Sequence, residues 1–292
     1  MHKFLRAIGF SEITKKELDQ LMGQIIERPM LQKVAQDSEE NEFAELSSEF
    51  GEFFGLSLRG TFHEDDSFDF SYYYPYYCGN RISTMEQVEI EKHAEKESYA
   101  GICDDVRLGV TLIFYLQNVP DYLAVKNNKF YQNRAEGVIL GALSTEGKVL
   151  LPVNKAEQKN LPPQQNTDER NRLIAEARNG NEDAIENLTL EDMDTYSMIS
   201  RRVQHEDIMS IVESYFMPYG IESDQYSILG EITDVRLLQN RMTEENVYAL
   251  DIRCNDMELS LCINQKDLFG EPQVGRRFKG NIWLQGSVKY RD

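Results

Sequence analysis

Between Tyr226 and Tyr290, apolar and polar residues take turns along short runs separated by turn-forming pairs. A period of two sends successive side chains to opposite faces of a strand, so each run carries one face that must be buried. Ile228, Gly230 and Ile232 alternate on the first run, and Tyr248, Leu250, Ile252 and Cys254 on the second. Met257, Leu259, Leu261 and Ile263 form the third, and Phe278, Ile282, Leu284, Val288 and Tyr290 the last. Gly280 and Gly286 break the last run, where a closing sheet has to bend. Strands this short and this close together predict a small antiparallel β-barrel, OB-like or SH3-like.

Asn255-Asp256 reads as a two-residue hairpin turn, which sets Cys254 opposite Met257 and Cys262 opposite Ala249. The two thiols then lie about 16 Å apart at ~3.3 Å per residue, well beyond disulfide reach. The four cysteines (Cys78, Cys103, Cys254, Cys262) show no Cys-x-x-Cys spacing, and reduced, partly buried thiols are predicted.

Upstream, Thr14 and Glu17 form a Thr-x-x-Glu capping box before Leu18, Leu21, Met22, Ile25 and Ile26 at helical spacing, and Arg28-Pro29 ends the helix. From Glu42 to Val153 the period changes to two. Strands are expected at Phe53–His63, Phe68–Tyr74, Met85–Ala94, Gly109–Asn118, Gly137–Leu143 and Lys148–Val153, the last two joined by a Ser-Thr-Glu-Gly hairpin. No helices of crossover length separate most of them, so the sheet should be largely antiparallel. The polar, proline-containing stretch 160–166 marks a boundary. Helices follow at Asp168–Arg178, Glu182–Asn187, from the Thr189/Asp192 cap to about Val203, and at Glu206–Phe216. The reading is an α+β protein of three parts. Residues 1–160 form a largely antiparallel α/β unit, 161–220 a helical connector block, and 221–292 the small barrel.

The net charge of −19 is unevenly spread: −9 over 1–160, −7 over 161–220 and −3 over 221–292. The leading segments would repel a polyanion, whereas the barrel is near neutral. No apolar run approaches the ~20 residues of a membrane span, and the opening MHKFLRAIGF is not patterned as a signal peptide. A cytoplasmic protein without a membrane partner is expected.

The last strand has a second row: Lys279, Asn281, Trp283, Gln285, Ser287 and Lys289, preceded by Arg276 and Arg277. A solvent-facing Trp flanked by cations is a base-stacking platform, and the arginines would reach phosphates. In the competing reading Trp283 packs against the helical block and the lysines are solvated edge charges. The candidate binding face is Arg276, Arg277, Lys279, Trp283 and Lys289. Tyr72, Tyr73, Tyr74, Tyr76 and Tyr77 make a candidate aromatic surface, or else cover a sheet. His63-Glu-Asp-Asp66 reads as a turn, since four consecutive residues do not converge on one ion. His93 reads as exposed and His205 as a helix start. No nucleotide-binding, zinc-protease or nucleophile-elbow motif occurs, so no catalytic residue, metal ligand or cofactor is assigned.

MHKFLRAIGF at 1–10, YSILGEI at 226–232 and above all DLFGEPQVGRRFKGNIWLQG at 267–286 carry a resemblance to a family of clostridial (Firmicutes) cytoplasmic proteins, a domain of unknown function. It covers essentially the full length and implies a Gram-positive, gut-type anaerobe source. The family brings no activity, cofactor or catalytic residue. The leading functional expectation is therefore a non-enzymatic binding or scaffold protein that uses the barrel face on a protein or small ligand. Single-stranded nucleic-acid binding through the barrel is the alternative. An enzyme with a composite site between body and barrel is the second.

Overall fold

Thr14 Oγ1 accepts from the Glu17 amide (3.3 Å) while the Thr14 amide donates to Glu17 Oε2 (2.8 Å), completing the expected capping box. The helix it starts, α1 (Lys15–Glu27), buries Leu18, Leu21 and Ile25. Ahead of it, a 3-10 helix (Lys3–Ile8) ends at Gly9 with φ 87°, where a Cβ would come within 2.8 Å of Asn240. Glycine satisfies both the left-handed turn and the close approach. Asn240 Nδ2 donates to the Ile8 carbonyl (2.7 Å), tying the N-terminal segment to a turn late in the chain.

The structure is a computed structural model and describes residues 1–36, 42–65, 67–92, 98–127, 135–153, 167–178, 180–190 and 208–290. The protein is mostly β with few helices. Strands β1 (Leu31–Gln36), β2 (Glu42–Gly51), β3 (Phe54–Phe62) and β4 (Phe68–Tyr77) pair antiparallel in sequence order. The second sheet holds β5 (Val88–Lys92), β6 (Tyr99–Asp105), β7 (Val110–Leu116), β8 (Ala135–Leu150), β9 (Tyr215–Pro218), β10 (Gln225–Gln239), β11 (Asn246–Cys254), β12 (Met257–Asn264), β13 (Leu268–Phe269) and β14 (Arg277–Tyr290). Helix α2 (Val119–Asn127) lies between β7 and β8. Helices α3 (Thr167–Arg178), α4 (182–190) and α5 (Ile208–Ile211) follow β8. No described helix is long and apolar enough to cross a membrane.

Pairings are antiparallel except where β8 meets β12 and β13 and where β7 meets β14. β8 runs antiparallel along almost all of β14, and its residues 141–144 also pair with 260–263 of β12. Following the hydrogen bonds from β8 through β12, β11, β10 and β14 therefore leads back to β8. The Asn255-Asp256 turn has φ 49° and 62°, and the register sets Cys254 against Met257 and Cys262 against Ala249, as the sequence predicts.

Two apolar clusters fill the molecule. One takes the predicted alternating residues of these strands, among them Ile228, Leu250, Leu261, Phe278, Ile282 and Leu284, together with β7 and α2. The other joins the outer side of the same strands (Leu143, Val247, Ala249, Cys262, Trp283) to the 3-10 helix, α1 and the four-stranded sheet.

Two expectations are corrected. The Ser144–Gly147 hairpin does not form, because β8 continues through it. One extra β8 residue is absorbed as a bulge between Gly280 and Ile282, where Ser144 Oγ donates to Asn281 O (2.7 Å). The helix expected to reach Phe216 ends at Ile211. Tyr215 and Phe216 instead belong to β9, paired with Leu229 and Ile228, where sheet pairing overrides a helical apolar spacing. The helix expected between Thr189 and Val203 lies mostly outside the described residues.

Candidate functional site

β14 separates the two clusters, and this decides the fate of its second row. Trp283 is only 5% exposed, which corrects the solvent-facing expectation. It is covered by the N-terminal segment rather than the helical block. Phe4 stacks on it at 5.3 Å between centroids, with His2 at 4.8 Å and Tyr115 at 5.2 Å. Its Nε1 donates to Asp224 Oδ2 (2.7 Å), so the polar edge is satisfied as the ring is buried. The cause lies in β8, β11 and β12, whose outer positions are also apolar and need a cover.

The cations of the row scatter. Arg277, 5% exposed, donates to the carbonyls of Leu151 (2.9 Å), Val212 (2.6 Å) and Met209 (2.7 Å), holding the end of α5 against the sheet. Burial, opposed by the Glu213 charge, lowers its proton affinity. Arg276 bonds the Glu271 carbonyl (2.8 Å), and Lys289 pairs with Glu136 (3.5 Å). Lys279 reaches Met209 Sδ (3.6 Å) and lies opposite Lys148 in the β8 ladder. Of the five candidate residues, Arg277 and Trp283 are buried, Arg276 and Lys279 half-buried, and Lys289 is exposed toward the other end of β14.

The tyrosine-rich run is β4. Tyr74, Tyr76 and Tyr77 are buried, and Tyr72 and Tyr73 half-buried. Tyr72 and Tyr74 surround a residue that periodicity did not single out, Arg59 on β3, which has no exposed surface. Arg59 Nε donates to Glu45 Oε2 (2.6 Å), and its Nη atoms donate to the hydroxyls of Tyr72, Tyr74 and Tyr115 and the carbonyls of Leu116 and Gln117. The guanidinium therefore bolts β2, β3 and β4 to β7. Beside it, Gln285 Nε2 donates to Pro75 O (2.9 Å), and its Oε1 accepts from the Tyr77 amide (3.2 Å) and Gln117 Nε2 (3.0 Å). The one available signal was an arginine at an inward position of an apolar strand, opposite a strand rich in tyrosine hydroxyls.

Groups suited to chemistry are held quiet. Burial pushes the thiols of Cys78, Cys103 and Cys254 up to about 12 and raises Cys262 as well, so they stay protonated. Burial first, then the Lys3 and N-terminal charges, lowers the His2 imidazole to about 4. Asp65 closes the 63–67 turn by accepting from Ser67, and the His63 amide bonds Ser67 O. His93, Asp66 and His205 lie outside the described residues. No group of three or more metal-ligating side chains occurs among the described residues.

Three exposed apolar groups stand together at one end of the β8 ladder. Leu151, Phe269 and Val274 are 71%, 77% and 65% exposed. Phe269 pairs with Lys148, Arg277 with Leu150, and the 270–276 loop joins the two pairings. The fold and this surface define a β-rich protein with few helices, two cores divided by β14, and an apolar, basic patch at one end. The chain belongs to the family described as "Domain of unknown function, E. rectale Gene description (DUF3881)", named for a clostridial gene, whose model matches residues 5–286. No curated protein and no solved structure matches it.

Proposed function

We propose that this chain is a cytoplasmic binding or scaffold protein that works through the exposed β13–β14 end of its C-terminal strands. In this reading the five-strand circuit is the small barrel expected at 221–292, completed by β8 from upstream. The division at 160/161 and 220/221 is then a proposal about folding units that the long β8–β14 ladder puts to the test.

One observation carries the proposal: Leu151, Phe269 and Val274 project into solvent, and the ladder sets Phe269 beside Lys148 and Lys148 opposite Lys279. Exposed apolar groups, an aromatic among them, with a polar rim suit a protein partner. Lys148 directly across from Lys279 is a like-charge pair costing roughly 0.2–1 kcal/mol, which a carboxylate on the partner would relieve. The nucleic-acid alternative loses its stacking ring with Trp283, and the chain's charge of −19 opposes it.

A photo-crosslinking amino acid placed at Phe269 in the full chain, inside cells, tests the reading. A discrete adduct that disappears with Leu151→Glu and Val274→Glu is expected, with none from the same group at Glu89. No adduct, or one also formed from Glu89, would count against it.

A further inference from the structure

Resting on the same non-catalytic reading but on a different surface, we infer that the groove beside α1 docks the C-terminus of a partner protein ending in a large apolar residue. The groove lies between the second half of α1, the end of β2 and the turn joining β10 to β11, and has a volume of about 590 Å³. Its apolar lining is the buried Leu21, Ile25 and Phe50 with the half-exposed Met242. A methionine at the rim adapts to varied apolar shapes.

Two arginines stand at the mouth, Arg28 and Arg241. Among the described arginines, Arg6, Arg59, Arg81, Arg107, Arg172, Arg236 and Arg253 each hold a carboxylate, and Arg276 and Arg277 are engaged by backbone carbonyls. Among the described residues Arg28 makes no side-chain ion pair, and the Arg241 guanidinium bonds the Glu49 carbonyl (3.3 Å) rather than a carboxylate. In a chain with 50 acidic and 31 basic residues, two arginines without a carboxylate at one apolar depression invert the local charge. A guanidinium fork matches a carboxylate in bidentate geometry. Glu27, also in the lining, leaves a net charge of one positive, which suits a single carboxylate. The depression is too open to enclose a small molecule on all sides, as binding pockets do. A peptide end laid across it needs only one side covered, and Gln24 and Ser48 in the lining offer partners for its backbone.

The test is a titration of the 15N-labelled full chain with acetyl-Ala-Ala-Leu-Phe carrying a free carboxylate, against the same peptide amidated. Shifts confined to residues around 21–28, 48–50 and 241–242 are expected. Amidation, or Arg28→Gln with Arg241→Gln, should weaken binding about tenfold, the equivalent of one lost charge-assisted contact. Glu27→Gln should tighten it. All three side chains are exposed, so the variants keep the parent spectrum. The inference is overturned by no shifts at millimolar peptide, by equal binding of the amide, or by Glu27→Gln weakening the complex. Crosslinking from Phe269 does not depend on this groove, so the two readings fail separately.

Discussion

Inside the strand circuit, Ile228, Leu250 and Leu261 come from strands joined in sequence by short turns, while Leu284 and Leu261 also lie opposite Ala142 of β8. Across β14, Trp283 meets Phe4 and His2 from the other end of the chain, and Arg59 gathers groups from β2, β4 and β7. The first core is mostly aliphatic and takes its order from strand register. The second is aromatic and polar, and its order comes from hydrogen bonds that must all be made at once. The difference teaches where uniqueness is stored. A missing methylene in the first core leaves a void, whereas a missing donor in the second strands several acceptors together.

The largest effect should come from cutting the circuit. A 221–292 fragment lacks β8 and leaves the facing edges of β12 and β14 open. It is expected to be insoluble, and fusing residues 135–153 to it should restore soluble β structure by circular dichroism; a folded fragment on its own would show the C-terminal strands to be independent of β8. Next comes Arg59→Leu, which leaves Glu45 without its cation and is expected to cost about 3–5 kcal/mol in urea unfolding. Arg277→Leu, which strands only carbonyls at the end of a short helix, should cost less, about 1–3 kcal/mol.

Trp283 is the chain's single tryptophan, so its fluorescence reports the second core alone. In Leu284→Ala, a first-core cavity costing about 2–5 kcal/mol, fluorescence and far-ultraviolet dichroism should still unfold together; separated transitions would show the cores to be independent. Acid should act on the second core through His2. Its imidazole is neutral in the fold down to about 4, while the unfolded chain takes up the proton near 6.5. Stability is therefore full above pH 6.5 and falls by at most about 3 kcal/mol as pH drops to 4, and His2→Leu should flatten that slope. The smallest effect is a gain: Asp256→Gly in the hairpin turn, at φ 62°, should add about 0.5–1 kcal/mol.

This contrast also explains what the sequence made legible. The alternation of Leu250, Ile252 and Cys254 with the Asn255-Asp256 turn was enough to place a register correctly, because turn and period are both local. The Thr14–Glu17 box was legible for the same reason. Trp283 was not, since its cover comes from residues near position 4 and nothing in β14 encodes that distance. The clue was Val247 and Ala249 alternating with Tyr248 and Leu250, a strand apolar on both faces. β1, β2, β6 and β13 were missed as strands, and Arg59 passed unnoticed because burial of a charge depends on partners drawn from three other strands.

The position of β8 between β12 and β14 also sets a timetable. During translation β8 leaves the ribosome long before either neighbour exists, with apolar side chains on both faces and two unpaired edges. The nascent chain must keep that strand from pairing with other copies until the final hairpins arrive, which makes this interval, more than the finished fold, the stage most exposed to aggregation and most in need of a chaperone.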